Sequence, residues 1–201
     1  MHKNNLFILS AASGTGKTSL AQALVDRLPD VVLSISHTTR APRPGEKHGE
    51  HYYFVTPAEF QAMVDRGEFL EHAEVFGNRY GTARAAVEKL LTQGRRVIFD
   101  IDWQGARAIK RVWPQARSIF LLPPSRAALE QRLQGRRQDR PDVIARRMQA
   151  AVDEMRHHSE FDFVVVNDDF DHAFADLEAI FGDKPETRRP LSLDTAALLK
   201  T

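Results

Sequence analysis

Bulky apolar residues are concentrated in five short runs along the chain, and this pattern predicts buried β-strands. Each run is shorter than an ordinary helix and has few polar interruptions, as strands buried on both faces do. The runs lie at residues 6–10 (LFILS), 31–36 (VVLSIS), 96–102 (RVIFDID), 118–122 (SIFLL) and 161–167 (FDFVVVN).

Between these runs, apolar residues recur at helical spacing. After the first run, Leu20, Leu24 and Leu28 fall on one face of a helix. Thr56 and Glu59 form a capping-box pattern at the start of another. Alternating strands and helices predict an α/β fold, a parallel sheet covered by helices on both faces. Helices are predicted at residues 19–28, 56–67, 82–94, 125–135 and 171–182.

The loop between the first strand and the first helix reads AASGTGKT, residues 11–18. It fits the phosphate-binding pattern G-x-x-x-x-G-K-[ST] everywhere except at Ala11, which replaces the first glycine. Backbone N–H groups of such a loop and of the helix N-terminus attract phosphate oxygens. Lys17 supplies a charge to the terminal phosphates, and the Thr18 hydroxyl is a ligand for Mg²⁺. The loop is therefore predicted to bind a nucleoside triphosphate.

Net charge and cysteine content exclude several classes of binding partner and chemistry. The chain of 201 residues has 28 Lys and Arg against 27 Asp and Glu, a net charge of +1, which argues against a general nucleic-acid or membrane-surface binder. It contains no cysteine, which excludes disulfides and thiol chemistry. No signal peptide precedes the first strand and no apolar run has membrane length, so a cytoplasmic protein is expected.

Charged residues stand out in three segments. Residues 37–55 carry Arg40 and Arg43 among prolines and glycines, and residues 132–147 are rich in arginine. An arginine-rich run by itself is usually a solvated helix face. Beside a phosphate-binding loop, however, the arginines suit phosphoryl transfer, because an arginine-rich pair of helices can close over ATP as a lid. Asp100 and Asp102 leave the same face at the end of an apolar strand. Open α/β sheets place ligands at this end of a strand, and acidic groups there resemble the carboxylate on the Mg²⁺ side of P-loop proteins. The alternative is that these aspartates are solvated at the strand end and cap the next helix.

Five stretches together resemble a bacterial guanylate kinase, in register from Leu6 to Phe181. They read SAASGTGKTS, ISHTTRAPRPGEKHGEHYYFV, GEFLEHAEVFGNRYGT, VIFDIDWQGA and FVVVNDDFD. The resemblance implies transfer of the γ-phosphoryl group of ATP to GMP, with Mg²⁺. It also implies one domain over residues 1–183, with the core at about 1–35, 83–123 and 160–183, a GMP-binding insertion at about 36–82 and a lid at about 124–159.

The resemblance assigns roles to individual residues. The implied catalytic residues are Lys17, Arg40, Arg43, Arg132, Arg136 and Arg147. The implied ATP-binding residues are Ala11, Ala12, Ser13, Gly14, Thr15, Gly16, Lys17, Thr18, Ser19 and Asn167. The implied GMP-binding residues are Ser36, Arg40, Arg43, Tyr52, Glu71, Tyr80, Thr82, Asp100 and Asp102. Thr18 and Asp100, the latter through water, are the implied metal ligands.

Two other functions are compatible with such a fold. One is a guanylate-kinase-like interaction module without catalysis, but modules of this kind typically lose the phosphate loop, whereas Lys17 and Thr18 are present here. The other is a kinase for a different nucleoside monophosphate.

Residues 184–201 are expected to form a mobile tail. The alternative is that the segment LDTAALL docks on a partner subunit of a homo-oligomer.

Overall fold

The computed structural model describes residues 5–75, 77–135 and 141–200, with only the backbone at 141–143. Nine β-strands lie in these residues, numbered β1 to β9: Leu6–Ala11, Val31–Leu33, His37–Thr38, Tyr53–Phe54, Phe69–Val75, Asn78–Ala83, Arg96–Asp100, Arg117–Leu122 and Phe163–Val166. The α-helices described, α1 to α8, are Lys17–Arg27, Pro57–Asp65, Arg84–Thr92, Trp103–Val112, Arg126–Gln134, Pro141–Met155, Phe170–Phe181 and Thr195–Leu198. Two 3₁₀ helices cover Arg156–Glu160 and Pro185–Thr187.

The five apolar runs form one five-stranded sheet in the order β2-β7-β1-β8-β9. The pairs β2–β7 and β8–β9 are parallel, with Val32 opposite Val97 and Leu121 opposite Val165. The central strands are almost completely buried, which explains why their sequences lack an alternating polar pattern. The predicted α/β fold with a parallel sheet is confirmed.

A second sheet, in the order β4-β3-β6-β5, lies within the predicted insertion. β5 and β6 are antiparallel, with Glu71 opposite Thr82, and β3 and β4 have only two residues each. The apolar-run pattern did not predict this sheet, because β3 and β4 are too short to show a pattern and the longer β5 and β6 contain several polar residues in place of a continuous apolar run.

Local capping signals predicted several helix boundaries well. At α2, the Thr56 side chain accepts from the Glu59 N–H and the Glu59 side chain accepts from the Thr56 N–H, as the capping box predicts. The helix predicted from residue 82 instead begins at Arg84, with Ala83 at its N-cap. Thr82 belongs to β6, where its hydroxyl donates to Glu71 and is not available for capping.

The described residues divide into two compact units. The first consists of the residues up to Ile8 together with Asp30–Ala116, and the second consists of Leu9–Pro29 together with Arg117–Thr201. No helix of the described residues is long and apolar enough to cross a membrane. The subdivision into core, insertion and lid remains a prediction.

The core of the second unit combines the phosphate-loop segment with helices from distant parts of the chain. Its buried members come from the loop, from β8, α5 and α6, and from α8 near the C-terminus. They are Ala12, Phe120, Leu122, Leu129, Leu133, Met148, Ala151, Val152, Met155 and Leu198.

The segment after Asp183 differs from the mobile tail that was expected. Leu198 is buried in the core of the second unit because α8 brings an apolar side chain to it. Arg189 forms ion pairs with Asp168 and Asp176. The guanidinium groups of Arg188 and Arg189 also donate to the Val164 and Val166 carbonyls of β9, the last strand of its sheet. The segment is thus held by its own unit.

Candidate active site

The predicted phosphate-binding loop, residues 11–18, lies in the second unit, and its backbone has a conformation that glycine adopts easily at two positions. Gly14 and Gly16 have φ of 89° and 96°, a left-handed conformation that strains other residues, and α1 begins immediately afterwards at Lys17. A Cβ atom at Gly16 would lie 2.5 Å from Nδ2 of Asn167. Glycine is therefore required both by the turn and by the close approach of Asn167.

Asn167 and Arg132 hold the middle of this loop. The Thr15 carbonyl accepts hydrogen bonds from Nδ2 of Asn167 at 2.7 Å and from Nη1 of Arg132 at 3.3 Å. Arg132 also donates from Nη2 to the Asn167 carbonyl at 2.8 Å. The Thr15 side-chain hydroxyl is buried and has no hydrogen-bond partner among the described residues. The Thr15 carbonyl is therefore fixed by two side chains that lie outside the loop sequence.

Helix α6 holds the first turn of the same loop. The Ser13 N–H donates to Oε2 of Glu154 at 3.0 Å, and Arg147 donates from Nη2 to the Ser13 hydroxyl at 3.1 Å. Beyond the loop, Lys17 is half-buried and the side chains of Thr18 and Ser19 are exposed. The hydroxyl of Thr18 is thus accessible at the N-terminus of α1, where a helix favours anions.

The first unit contains a buried carboxyl group surrounded by hydroxyls. Glu71, on β5, is 5% exposed and accepts a hydrogen bond of 2.6 Å from the Thr82 hydroxyl on β6. The Ser36 and Thr82 hydroxyls lie 3.3 Å apart. All three residues are buried, so the sheet of the insertion brings together three of the predicted GMP-binding residues.

The surroundings of Glu71 disfavour its charge. Burial raises the pKa of Glu71 to about 7. The hydrogen bond from Thr82 opposes this rise in pKa, and the nearby charge of Asp102 adds to it. Asp102 is itself the N-cap of α4, where Oδ1 accepts from the Gly105 N–H at 2.8 Å. A Cβ at Gly105 would lie 2.9 Å from Oε2 of Glu71, so the absence of a side chain there makes room for the carboxyl group.

A second cluster in the first unit combines one arginine with two tyrosines. The Arg40 guanidinium donates to Oε1 of Glu46 at 2.8 Å, and it lies 5.4 Å from the ring centre of Tyr52. The hydrogen bonds to Glu46 and Tyr80 raise the pKa of Arg40, the first more than the second, and burial opposes them. The rings of Tyr52 and Tyr80 meet edge to face at 6.0 Å.

Asp100 acts on this cluster electrostatically. Burial raises the pKa of Tyr52 to about 12, and the charge of Asp100 adds to the effect. Arg43 is exposed, and its backbone N–H donates to Oε2 of Glu46 at 2.7 Å, so Glu46 holds both arginine positions of the TTRAPR segment. A carboxylate-fixed guanidinium beside two phenols is a suitable site for a phosphate group.

Known proteins resemble this chain over most of its length. A sequence model of the guanylate kinase family matches residues 3–184. The chain belongs to the guanylate kinase family. Guanylate kinases of Salmonella paratyphi A and Escherichia coli K12 are 58% and 57% identical to it over 182 residues, which are 90% of this chain and 88% of each relative. The crystal structure of guanylate kinase from Anaplasma phagocytophilum has a TM-score of 0.73 at 34% identity, covering 93% of this chain and 89% of that one.

Guanylate kinases are nucleoside monophosphate kinases, so the predicted family and enzyme class are confirmed. The residue roles inferred from the resemblance remain predictions. Arg136 lies outside the described residues. The predicted metal ligands Thr18 and Asp100 belong to the second and first unit respectively.

Sequence reasoning did not find three supporting residues: Glu46 beside the arginine cluster, Gly105 beside Glu71, and Glu154 beside the loop of residues 11–18. Glu46 follows a Pro-Gly turn and could have been suspected as a partner of the arginines before it. Gly105 and Glu154 act on residues that are distant in sequence, at positions 71 and 13. No local pattern reports such contacts.

Proposed function

We propose that this guanylate kinase transfers the γ-phosphoryl group of ATP to GMP, giving ADP and GDP. The observation that supports the choice of GMP most directly is the buried carboxyl group of Glu71 beside Thr82 and Ser36. Guanine presents N1–H and N2–H₂ as donors and O6 as an acceptor. Ionised Glu71 and Asp102 accept from the donors, and the Ser36 hydroxyl donates to O6, because the single hydroxyl hydrogen of Thr82 is already donated to Glu71.

Adenine reverses this pattern. Its N1 is an acceptor and it has no N2 amino group, so it would leave the buried carboxyl group of Glu71 without the two donors that guanine offers. A site built on hydrogen bonds rejects an analogue that lacks them by about 10⁴ or more. We therefore expect strong discrimination against AMP.

Arg40, Arg43, Tyr52 and Tyr80 are proposed to bind the phosphate of GMP. That phosphate is already an anionic nucleophile, so no general base is required. The task of the protein is to place two anions in line and to stabilise the charge between them. Glu46 holds Arg40 in place before the phosphate arrives.

On the donor side, the backbone of residues 11–19 is proposed to bind ATP together with Asn167. Lys17 and the lid arginines Arg132, Arg136 and Arg147 are proposed to bind the transferred phosphoryl group. In the described residues Arg132 and Arg147 contact the loop itself, at the Thr15 carbonyl and the Ser13 hydroxyl. These contacts support the proposal, because they bring both arginines to the loop that is proposed to bind the phosphates.

The oxygen donors available here fit Mg²⁺, a hard cation that usually takes few protein ligands together with substrate phosphates and water. The exposed Thr18 hydroxyl and the Asp100 carboxylate would hold it, Asp100 through water. No group of three or more metal-binding side chains occurs in the described part of the chain. When bound with ATP, Mg²⁺ supplies charge neutralisation at the phosphates.

A coupled assay of ADP release with GMP, AMP, CMP and UMP as acceptors tests the proposal. We expect kcat/KM for GMP to exceed that for each other acceptor by about 10⁴. Lys17→Ala serves as the control for contaminating kinases, because loss of this charge should lower kcat by orders of magnitude. Turnover of AMP within tenfold of GMP would contradict the proposed acceptor.

A further inference from the structure

Glu154 is a charged residue of α6 to which the proposed function gives no role. Its carboxylate oxygen Oε2 accepts a hydrogen bond of 3.0 Å from the backbone N–H of Ser13. Ser13 lies in the loop that binds the donor phosphates in the proposed function. A side chain from a helix 141 positions away in sequence thus fixes the backbone of this loop.

The same helix contacts Ser13 a second time. Arg147 donates to the Ser13 hydroxyl at 3.1 Å, and Arg147 and Glu154 are seven residues apart, close to two helical turns, so they lie on one face of α6. Between them Ala151 is fully buried and belongs to the same apolar cluster as Ala12. This face of α6 therefore holds Ser13 by two polar contacts, and the buried residue between them belongs to the same apolar cluster as the neighbouring loop residue Ala12.

This arrangement matters because a phosphate loop binds through its backbone. Its N–H groups must point into one concavity before the nucleotide arrives, or part of the binding free energy is lost in ordering them. The Thr15 carbonyl is fixed by Asn167 and Arg132. The contact with Glu154 fixes the backbone two residues earlier, so the loop is held on both sides of Gly14.

We propose that Glu154 is a positioning residue for the phosphate loop, and that its hydrogen bond to the Ser13 N–H raises the affinity for the nucleotide donor. The proposal rests on the proposed function in taking the loop as the donor site. Glu154 touches no reacting atom in this proposal; it acts through the loop backbone.

Calorimetric titration with Mg-ADP, and separately with GMP, tests this in the full chain. Glu154→Ala should weaken Mg-ADP binding about tenfold, as expected for the loss of one hydrogen bond to a charged acceptor, and leave GMP binding unchanged. In kinetics, KM for ATP should rise more than kcat falls. Glu154→Gln keeps an acceptor oxygen and should bind Mg-ADP within about threefold of the original protein.

Asp153→Ala is the matched control, because Asp153 is the exposed neighbour of Glu154 on the same helix. The contacts described for Asp153 are an ion pair with Arg156 and a hydrogen bond from Gln149, both between exposed side chains. This variant should leave both affinities unchanged. Glu154→Met, of similar length but without an acceptor oxygen, replaces the alanine variant if that variant does not fold, and should show the same tenfold loss.

Three results would overturn the proposal. The first is unchanged Mg-ADP affinity without the acceptor. The second is tighter binding, which would mean that the carboxylate competes with phosphate for the Ser13 N–H. The third is equal loss in the glutamine and alanine variants. Because Mg-ADP binding is measured without turnover, failure of the original protein to phosphorylate GMP would contradict the proposed function and leave this test intact.

Discussion

At the scale of single residues, Glu71 shows how position changes the chemistry of a side chain. An exposed glutamate would be ionised at neutral pH, whereas burial raises the pKa of Glu71 to about 7. Guanine binding in the proposed mode needs the ionised form. The folded protein and its proposed ligand therefore favour opposite protonation states of one group.

The stability of the protein should depend on this group in a defined direction. The pKa of Glu71 rises from 4.5 to about 7 on folding, so the folded state holds the proton more tightly than the unfolded state does. The contribution of Glu71 to the free energy of unfolding is therefore fully present below about pH 4.5 and is lost as pH rises through 7. The full change is roughly 3 kcal/mol for such a shift. Urea denaturation from pH 5 to 8 should show Glu71→Gln gaining stability relative to the original protein as pH rises. A constant difference would contradict the raised pKa.

GMP affinity should change with pH in the opposite sense. As pH falls from 8 to 6, protonation of Glu71 removes an acceptor, so the Kd for GMP should rise more steeply in the original protein than in Glu71→Gln. The phosphate of GMP titrates near pH 6 in both proteins, and the variant corrects for it. Parallel pH profiles of the two proteins would show that Glu71 does not bind the base.

Gly105 provides a second test at this scale. Glycine in a helix normally costs about 1 kcal/mol relative to alanine, so Gly105→Ala should be stabilising in isolation. Here the new Cβ would lie 2.9 Å from Oε2 of Glu71 and 3.2 Å from Cβ of Ile101. We expect kcat/KM for GMP to fall about tenfold with Mg-ADP binding unchanged, since a small misplacement of a binding group is costly. Val112→Ala, on an exposed side of the same helix, is the control and should change neither.

At the scale of elements, the N-terminus of α4 combines a structural and a proposed binding role in one residue. Asp102 caps the helix through Oδ1, which is the alternative that the sequence left open for this aspartate. Its Oδ2 accepts from the Gln104 amide at 3.1 Å. Capping does not use the whole carboxylate, so the two roles are compatible.

Two substitutions separate these roles. Asparagine caps helices as well as aspartate does, so Asp102→Asn should leave the free energy of unfolding nearly unchanged, whereas Asp102→Ala should cost about 1 kcal/mol. Both should lower kcat/KM for GMP, because neither offers a second carboxylate oxygen to the base. Unfolding in denaturant and steady-state kinetics measure the two effects. Full activity in Asp102→Asn would limit this residue to capping.

The elements also show what sequence could predict. The five apolar runs predicted the main sheet because central parallel strands are uniformly apolar, and Thr56 predicted the start of α2 because a capping box is local. The second sheet was missed because β3 and β4 have two residues each and the longer β5 and β6 are not continuous apolar runs. Gly105 and Glu154 were missed because their partners are distant in sequence and leave no spacing pattern, whereas Glu46 lies three to six residues from its partners and could have been suspected. The resemblance supplied the predicted roles of Ser36, Tyr52 and Tyr80.

At the scale of the whole molecule, the segment after Asp183 is part of the second unit. Arg189 donates from Nε to Asp176 at 2.9 Å, and its backbone N–H donates to the other oxygen at 2.7 Å. Asp176 is buried, and Arg189 also pairs with Asp168. Arg189 lies beyond residue 184, where the match to the family model ends.

Removing the arginine should therefore destabilise the fold. Arg189→Ala leaves the buried Asp176 carboxylate with fewer donors, which we expect to cost about 2–3 kcal/mol, since an unpaired buried charge is unfavourable. Thermal and urea unfolding measure the loss. Glu186→Ala, an exposed change in the same segment, is the control. Equal stability of both variants would show that Asp176 does not depend on Arg189.

The two arginine contacts with β9 have a consequence for the protein in concentrated solution. A strand at the end of a sheet is a template for pairing with another chain, and charged side chains at such an edge oppose aggregation. Arg188 and Arg189 occupy the Val164 and Val166 carbonyls, so a neighbouring molecule cannot use them to extend the sheet. Arg188→Ala removes the contact with the Val164 carbonyl and keeps Leu198 and the ion pairs of Arg189. It should scatter more light on standing than the original protein, and equal scattering would show that the edge needs no such protection.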